Sequence, residues 1–306
     1  MREIFETLAD ELRRASAEGD GFVSLDDESI AILKKFANAK PLATTGDTGF
    51  VDDVEEVKFV SQTEVEKTKF VKQVEKKVKV VDKNMDIAPI PNPTPFKLPE
   101  GDKQTRWNAL RNIVLSDKVC AEHLRPEKNI VFGVGNLDAK IFFCGEAPGA
   151  DEEIQGEPFV GKAGQLLTKI IGAMGLSRDD VYIGNIMNWR PECPRGNRPP
   201  TEEEMRYCLP YLKAQIEIIK PQVVVALGMT AVNGLLGVDP SRRMGKVRGK
   251  WQTYEGADLM ITYHPSFLLQ YATAEMKRLV WEDMMAVMER VGIPISEKQR
   301  GYFLPK

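Results

Sequence analysis

The chain has 306 residues, of which 42% are hydrophobic, and its formal net charge is −3 with a pI near 5.7. This length allows one or two domains, and the mild acidity does not single out nucleic acid as a partner, although a net charge averages over basic and acidic regions. Hydropathy excludes a transmembrane helix, because no apolar run approaches about 18 residues. The polar first residues predict no secretory signal, and the four scattered cysteines predict a reducing, cytoplasmic location rather than a disulfide framework.

Residues 1–39 are predicted to form a small helical segment. Ile4, Leu8 and Leu12 recur at the spacing of one helix face, and a second short helix is expected at 29–39. This pair is either a self-contained helical unit or a docking element for an unknown protein partner, and the pattern does not decide between the two.

Residues 40–100 have the composition of a linker. Lys and Glu alternate in short blocks, and four prolines lie between Ile87 and Pro95. Mixed charge does not easily bury a core, and proline-rich segments are extended spacers. We expect this region to be mostly disordered.

Residues 101–294 have the pattern of an α/β domain, and residues 295–306 are predicted to be a C-terminal tail. Strands are predicted near 139–145, 181–186, 222–228, 246–255 and 259–264, and helices near 104–116, 163–174, 201–219, 229–236 and 273–290. The nearly all-apolar run at 222–228 is typical of a parallel strand that is covered on both faces. The predicted fold class is therefore α/β, with three αβα layers around a mainly parallel central sheet.

Three of the predicted strands end in polar or aromatic groups. The first strand leads into a stretch, Gly145–Lys162, that is predicted to be a loop. Ligands of open parallel sheets bind beyond the carboxyl ends of strands, so the groups at these ends are expected to meet at one edge of the sheet. The residues concerned are Asp151, Glu152, Glu153, Phe159, Asn185 and His264.

Side chains of these types suit the cleavage of a bond between a base and a sugar. The amide of Asn185 can bind a base edge, and Phe159 can stack on a planar ring. His264 can donate a hydrogen bond to a developing anion, and a carboxylate can orient water or stabilise an oxocarbenium-like sugar. Structural roles are also compatible with the pattern, with Asn185 bonded to loop backbone, Phe159 packed within its loop and His264 an ordinary strand-end residue.

Several stretches resemble the uracil-DNA glycosylase superfamily, and most of all its family-four type. They occur in the order of the family and span about half of the chain. They are Val131–Asn136, Gly145–Gly149, Gly156–Leu167, Val181–Asn185, Asn197–Arg198, Cys208–Pro210, Val247–Lys250 and His264–Leu269. The resemblance implies a monofunctional uracil-DNA glycosylase of base excision repair, which hydrolyses the N-glycosidic bond and leaves an abasic site.

The resemblance also implies a uracil-binding pocket. Phe159 would stack on the flipped uracil, and Asn185 would bond its O4/N3 edge and so reject cytosine. Glu146 and Ala147 would line the pocket through their backbone, and His264 would donate to uracil O2.

For catalysis, the resemblance implies two acid candidates beside His264. Glu152, or its neighbour Asp151, would hold the attacking water or the cationic sugar. The chemistry itself needs no cofactor.

The resemblance further implies a DNA face that binds uracil-containing DNA, with the protein acting as a monomer and without membrane contact. Phe267, Leu268 and Leu269 would press into the duplex, and Ser266 would contact a phosphate. Basic residues in the loops of this half extend the face, although any one of them is equally compatible with an ordinary solvated loop. They are Arg190, Arg195, Arg198, Arg242, Arg243, Lys246, Arg248 and Lys250.

The cysteine pattern departs from that of family four, whose members usually hold a [4Fe–4S] cluster on four cysteines. Cys120 and Cys208 match two of these positions, whereas His123 and Trp189 occupy the other two, and Cys193 follows Trp189 by four residues. Iron–sulfur clusters prefer thiolate ligands. Either Cys120, His123, Cys193 and Cys208 form an altered site, or the cluster is lost.

Three other functions stay open on the sequence. The chain could act on another deaminated base, or bind uracil or abasic sites in DNA without turnover. It could also be a nucleotide-binding α/β protein of another kind, although its first strand–helix turn lacks a Gly-x-Gly-x-x-Gly motif or a P-loop.

Overall fold

The computed structural model describes residues 90–193, 196–271 and 273–304. The helical segment predicted at 1–39 and most of the linker predicted at 40–100 lie outside these residues. At the start of the described region, Ile90, Phe96 and Leu98 pack against the core, and the rings of Phe96 and Tyr211 stack with their centroids 5.4 Å apart. The last residues of the predicted linker therefore belong to the folded domain.

A central sheet of six strands organises the described part of the chain. Its strands are β1 (Val134–Gly135), β2 (Ile141–Gly145), β3 (Tyr182–Asn185), β6 (Val223–Leu227), β7 (Trp251–Tyr254) and β8 (Ala257–Thr262), while β4 (Glu192–Cys193) and β5 (Gly196–Asn197) pair separately. The spatial order is β1-β3-β2-β6-β8-β7. The four inner strands are parallel, and the two edge strands run antiparallel to their neighbours.

Helices cover this sheet, and most begin at a side-chain cap. Thr201 and Glu204 form a capping box at the helix predicted near 201–219, and Asp102 and Thr273 cap two other long helices. No helix among the described residues is both long enough and apolar enough to cross a membrane. The helices are α1 (Lys103–Leu115), α2 (Lys118–Glu122), α3 (Ala150–Gln155), α4 (Lys162–Ala173), α5 (Glu202–Ile219), α6 (Gly228–Leu236), α7 (Met244–Val247), α8 (Pro265–Gln270), α9 (Ala274–Arg290) and α10 (Glu297–Arg300), with a 3-10 turn at Arg178–Asp180.

Successive residues of β2 point into two separate cores. Ile141 and Phe143 pack with residues of α4 and α9, whereas Phe142 and Cys144 pack with residues of α1, α5 and α6. All four side chains are buried. This alternation requires a helical layer on each face of the sheet, so the predicted αβα architecture is confirmed.

The segment predicted as a C-terminal tail continues the domain. Helix α10 begins at a capping box formed by Ser296 and Gln299. The indole of Trp281, on α9, donates to the carbonyl of Gln299 at 2.6 Å, and its ring packs on Tyr302 at 5.3 Å between centroids. These contacts extend the second core beyond residue 294.

Candidate active site

The carboxyl ends of the parallel strands β2, β6 and β8 open into one crevice with a volume of about 630 Å³. Strand β2 leads to Glu146 and Ala147, β6 to Gly228, and β8 to His264, and all four residues line the crevice. Asn185, the last residue of β3, lies beside them, next to Gly145. The expectation that these strand ends meet agrees with the structure, because parallel strands bring their carboxyl ends to the same edge.

The acidic stretch after β2 forms helix α3, so its prediction as a loop is wrong. Gly149 occupies the N-cap position, and Asp151, Glu152 and Glu153 form the first turn. Acidic side chains are favourable at this end of a helix, where free N–H groups carry partial positive charge. The three consecutive acids are therefore a helix-start signal.

Glu152 is buried, and backbone N–H groups engage both oxygens of its carboxylate. Oε1 accepts from the N–H groups of Val160 at 3.0 Å and Gly161 at 2.9 Å, and Oε2 accepts from Gly149 at 3.1 Å. These bonds join the start of α3 to the segment that precedes α4. Glu152 thus fixes the shape of the site, and it also lines the crevice.

Asp151 is the exposed carboxylate of the crevice wall. Its Oδ2 lies close to Gly161, where an added Cβ would come within 2.7 Å of it. Glu146 is the second acid of the wall, and burial raises its pKa while a hydrogen bond with Thr230 opposes that rise. Of the two catalytic acids that the sequence proposed, Asp151 is the one with oxygens free to act.

Phe159 presents its ring to the crevice from a buried position, with 6% of its surface exposed. A Cβ at Gly145 would lie 2.4 Å from its Cζ and 2.4 Å from Oδ1 of Asn185, so only glycine lets the two side chains approach this strand end. The centroids of the Phe159 and His264 rings are 5.7 Å apart. Ring, amide and imidazole are therefore neighbours, as the sequence predicted.

The amide oxygen of Asn185 is buried and has no hydrogen-bond partner among the described residues. A buried acceptor without a partner costs about 1–3 kcal/mol, so such atoms are rare. Three residues further on, Asn188 is equally buried, but its amide donates to the carbonyl of Val131 at 3.1 Å. The contrast marks Asn185 as an acceptor that is kept available for a ligand.

His264 is neutral at physiological pH, because burial lowers its pKa to about 4. It is the N-cap of α8, and its Nδ1 accepts a hydrogen bond from the backbone N–H of Ser266 at 3.2 Å. A backbone N–H can only donate, so the proton of the neutral ring is on Nε2. The turn predicted after this strand is the start of a helix, with Pro265 at its first position.

The residues predicted to enter DNA differ in exposure. Leu268 is buried, which contradicts its predicted DNA contact, while its neighbour Leu269 is 51% exposed. In a short helix, adjacent residues point in different directions, and the core takes one of them. Phe267 lines the crevice and stacks on Tyr263 at 4.8 Å between centroids, and the Ser266 side chain is exposed.

Several of the predicted basic DNA contacts are instead held in ion pairs. Arg248 donates to buried Asp283 at 2.6 Å, and Arg198 donates to buried Glu204 with both terminal nitrogens at 2.6 Å. Arg190 pairs with Glu153 at 2.9 Å. Arg248 was predicted to contact DNA directly, and in the structure its guanidinium neutralises the buried carboxylate of Asp283.

Other cations of this face are exposed. Arg243, Lys246 and Lys250 were predicted, and Lys162, on the crevice wall, was not. Among the described residues none of the four forms a salt bridge, whereas Arg242 bonds to Asn233 at 2.7 Å and Arg195 lies outside the described residues. The positive charge available to a polyanion is therefore carried mostly by lysines.

The four positions of the expected iron–sulfur site do not provide four thiolates. The thiols of Cys120 and Cys208 are both buried, and the neighbouring Cys208 thiol together with burial raises the pKa of the Cys120 thiol. Trp189 is 1% exposed and packs on His123, with ring centroids 5.0 Å apart. His123 has its Nδ1 2.7 Å from the carbonyl of Val119, and its Nε2 is buried without a partner in the described part of the chain.

Among the described residues, no three His, Cys, Asp or Glu side chains are arranged to hold a metal ion. An indole cannot replace a thiolate ligand, and Trp189 fills the space beside His123 with a packed ring. The side chain of Cys193 lies outside the description. The described residues do not fit a four-thiolate cluster.

Two features of the site escaped the sequence interpretation. Gly228 begins α6 directly after β6, and its φ of +86° brings the backbone so close to His264 that an added Cβ would lie 3.0 Å from the His264 Cβ. A glycine directly after the apolar strand β6 is a sequence signal that could have added the end of β6 to the predicted site. Tyr263, which directly follows β8, supplies a further wall, and its position within the strand predicted near 259–264 gave no such signal.

The fold and site define an α/β protein with a crevice at the carboxyl ends of its parallel strands. The family model of the uracil DNA glycosylase superfamily matches residues 132–285. The chain belongs to this superfamily, and the resemblance seen in its motifs is confirmed.

Relatives agree with this assignment. The chain is 46% identical to a type-4 uracil-DNA glycosylase of Thermotoga maritima over 167 residues, which are 54% of this chain and 84% of the relative. It is 42% identical to that of Saccharolobus solfataricus over 169 residues, 53% of this chain and 76% of the relative. The type-4 enzyme of Archaeoglobus fulgidus is 41% identical over 162 residues, 51% of this chain and 79% of the relative.

Proposed function

We propose that this protein is a uracil-DNA glycosylase that hydrolyses the N-glycosidic bond of uracil in DNA and leaves an abasic site. The observation that carries the proposal is the buried, unpaired Oδ1 of Asn185 beside the ring of Phe159. Similarity to type-4 uracil-DNA glycosylases over most of their length supports it.

Base recognition follows from hydrogen-bond polarity. Uracil has a donor at N3 and an acceptor at O4, which complement the oxygen and the amino group of Asn185. Cytosine has an acceptor at N3 and a donor at C4, so it would place like groups together and leave buried atoms unpaired. Sites of this kind discriminate by orders of magnitude, because the wrong base leaves polar groups without partners.

His264 stabilises the departing base. As the glycosidic bond stretches, negative charge develops on the uracil ring, and a donor aimed at O2 stabilises it more in the transition state than in the ground state. The neutral imidazole with its proton on Nε2 is such a donor. A neutral donor also avoids the cost of burying a cation before any anion has formed.

Asp151 acts on the sugar side of the bond. A carboxylate near the anomeric carbon stabilises an oxocarbenium-like sugar and orients the water that attacks it. Asp151 is preferred over Glu152 because both residues line the crevice but only Asp151 is exposed, whereas the oxygens of Glu152 are held by three backbone N–H groups.

DNA binding combines an apolar wedge with a cationic rim. Leu269 and Tyr271 are exposed at the end of α8, next to the crevice, and would occupy the space that the flipped nucleotide leaves. Lys162, Lys246 and Lys250 would contact phosphates, so binding should weaken steeply with salt.

The test compares Asn185→Ala with Asn188→Ala on a single-stranded oligonucleotide that contains one uracil, followed by alkaline cleavage of abasic sites. After treatment with wild type and then alkali, the uracil strand should be cleaved. A matched strand with cytosine in place of uracil should stay intact. Asn185→Ala should lose excision without losing stability, because none of the described residues bonds to its Oδ1. Asn188→Ala should lose about 1 kcal/mol of stability and keep excision per folded molecule. Binding of the uracil strand by wild type without release of uracil would contradict the proposed function.

A further inference from the structure

The backbone of Phe159 is in an unfavourable conformation. Its φ is +56°, in the left-handed region that side chains with a Cβ rarely occupy. Bulky residues persist there only where the surroundings hold them, and such residues concentrate at functional sites. The ring that faces the crevice is therefore set by contacts made to the peptide groups on either side of it.

One side chain holds the carbonyl groups of this turn. Arg178, in the 3-10 turn before β3, donates from Nη1 to the carbonyl of Phe159 at 2.9 Å and from Nη2 to that of Pro158 at 2.8 Å. A planar guanidinium that bonds two successive carbonyls fixes their direction as well as their position. Arg178 does not line the crevice, so it makes these contacts from behind the ring.

The carboxylate of Glu152 holds the two backbone N–H groups that follow Phe159. The Oε1 atom of Glu152 accepts from Val160 and Gly161. The first turn of α4 packs directly under the same peptide, since a Cβ at Gly164 would lie 1.9 Å from the carbonyl carbon of Phe159. Phe159 is thus bracketed by a cation on its carbonyl side, a carboxylate on the following N–H groups and a helix beneath.

We propose that Arg178 is a positioning residue for uracil excision, which holds the Phe159 ring in the orientation that stacks on the base. This inference rests on the proposed function. Without the guanidinium, Phe159 relaxes towards negative φ and its ring leaves the stacking position. The base is then held less well, while the DNA-binding face, formed by other elements, is unchanged.

The test measures single-turnover excision, inhibition by free uracil, and affinity for DNA that contains a stable abasic-site analogue. Arg178→Ala should lower the excision rate by about 10- to 100-fold, as expected for misplacement of a reacting group, and should weaken inhibition by uracil. Its affinity for the abasic analogue should stay within about twofold of wild type. Arg178→Lys, which keeps the charge but not the paired donors, should be intermediate, and it serves as the test variant if Arg178→Ala does not fold.

The matched control is Arg278→Ala. Arg278 also donates to two backbone carbonyls, those of Arg300 at 2.7 Å and Tyr302 at 2.9 Å, and it lies outside the crevice lining. Its loss should lower stability without changing excision per folded molecule or inhibition by uracil.

A double-mutant cycle separates positioning from general support of the fold. In a Phe159→Ala background, Arg178→Ala should have almost no further effect on excision, because the ring it orients is gone. Full additivity of the two substitutions, or unchanged uracil inhibition in Arg178→Ala, would overturn the proposal. An inactive wild type would instead count against the proposed function, so the two failures are distinguishable.

Discussion

The backbone N–H of Ser266 donates to Nδ1 of His264 at 3.2 Å, and the Ser266 hydroxyl lies 2.7 Å from the same nitrogen. The contact that caps helix α8 therefore also leaves the imidazole proton on Nε2. A single local interaction sets both the start of a helix and the hydrogen-bonding character of a catalytic candidate. Since burial lowers the pKa of His264 to about 4, this state persists through the physiological range.

Replacement of His264 should slow excision with little effect on substrate affinity. We expect His264→Ala to lower the single-turnover rate by about 10²- to 10³-fold, the range seen when a donor to a developing anion is removed. Ser266→Ala is the control, because it keeps the backbone N–H that fixes the tautomer and should lose less than about tenfold. Full activity of His264→Ala would contradict the proposed mechanism.

His264 should also make the stability of the protein dependent on pH. The pKa of His264 is lower in the folded than in the unfolded state. The stability that its neutral imidazole contributes is therefore fully present above about pH 6.5 and is lost as pH falls towards 4. Relative to His264→Gln, wild type should lose about 2 kcal/mol of unfolding free energy between pH 7 and pH 5. Urea unfolding of both proteins across this range measures the difference, and parallel curves would show that the imidazole is not buried in its neutral form.

Asp151 and Glu152 should respond differently to removal of charge. Asp151→Asn should lower the excision rate by about 100-fold or more at unchanged stability. Glu152→Gln should lose about 1–3 kcal/mol of stability, because its carboxylate accepts from three backbone N–H groups. Rates per folded molecule, combined with urea unfolding, distinguish the two. A fully stable but inactive Glu152→Gln would make Glu152 the catalytic acid.

Leu268 and Leu269 form a matched pair for the DNA wedge. Leu269→Ala should reduce excision from double-stranded DNA more than from single-stranded DNA, since only a duplex requires filling of the vacated stack. Leu268→Ala should instead cost about 2–5 kcal/mol of stability, because Leu268 is buried, and should leave the ratio of the two activities unchanged. Equal losses of excision activity on double- and single-stranded DNA in Leu269→Ala would show that Leu269 does not fill the vacated stack.

The purified protein should contain no stoichiometric iron or sulfide and should show no visible charge-transfer absorbance. Its described ligand positions hold two thiols, an imidazole and a packed indole. His123→Cys combined with Trp189→Cys should restore four thiol positions and allow iron and sulfide to be incorporated. About four irons per chain in wild type would show that Cys193 or another group completes a cluster.

The sequence alone determined the α/β architecture, the positions of the main strands and helices, and the identities of Phe159, Asn185 and His264 as site candidates. Apolar periodicity depends on local spacing, and parallel strands bring their carboxyl ends to one edge of a sheet. The main elements and the grouping of the strand-end residues can therefore be predicted from the sequence. The family motifs supplied the identity of the base.

Only the tertiary structure decided which atoms of the site are free. Glu152, Arg198 and Arg248 are polar residues of the expected types, but backbone N–H groups engage Glu152, and the buried carboxylates of Glu204 and Asp283 engage the two arginines. Leu268 and Leu269 are adjacent residues of the same type, and only the packing shows that Leu268 is buried and Leu269 exposed. The support of Phe159 by Arg178 across 19 residues had no local signal either. Hydrogen-bond partners and burial depend on the packing of the whole chain, and this is why composition and spacing cannot assign them.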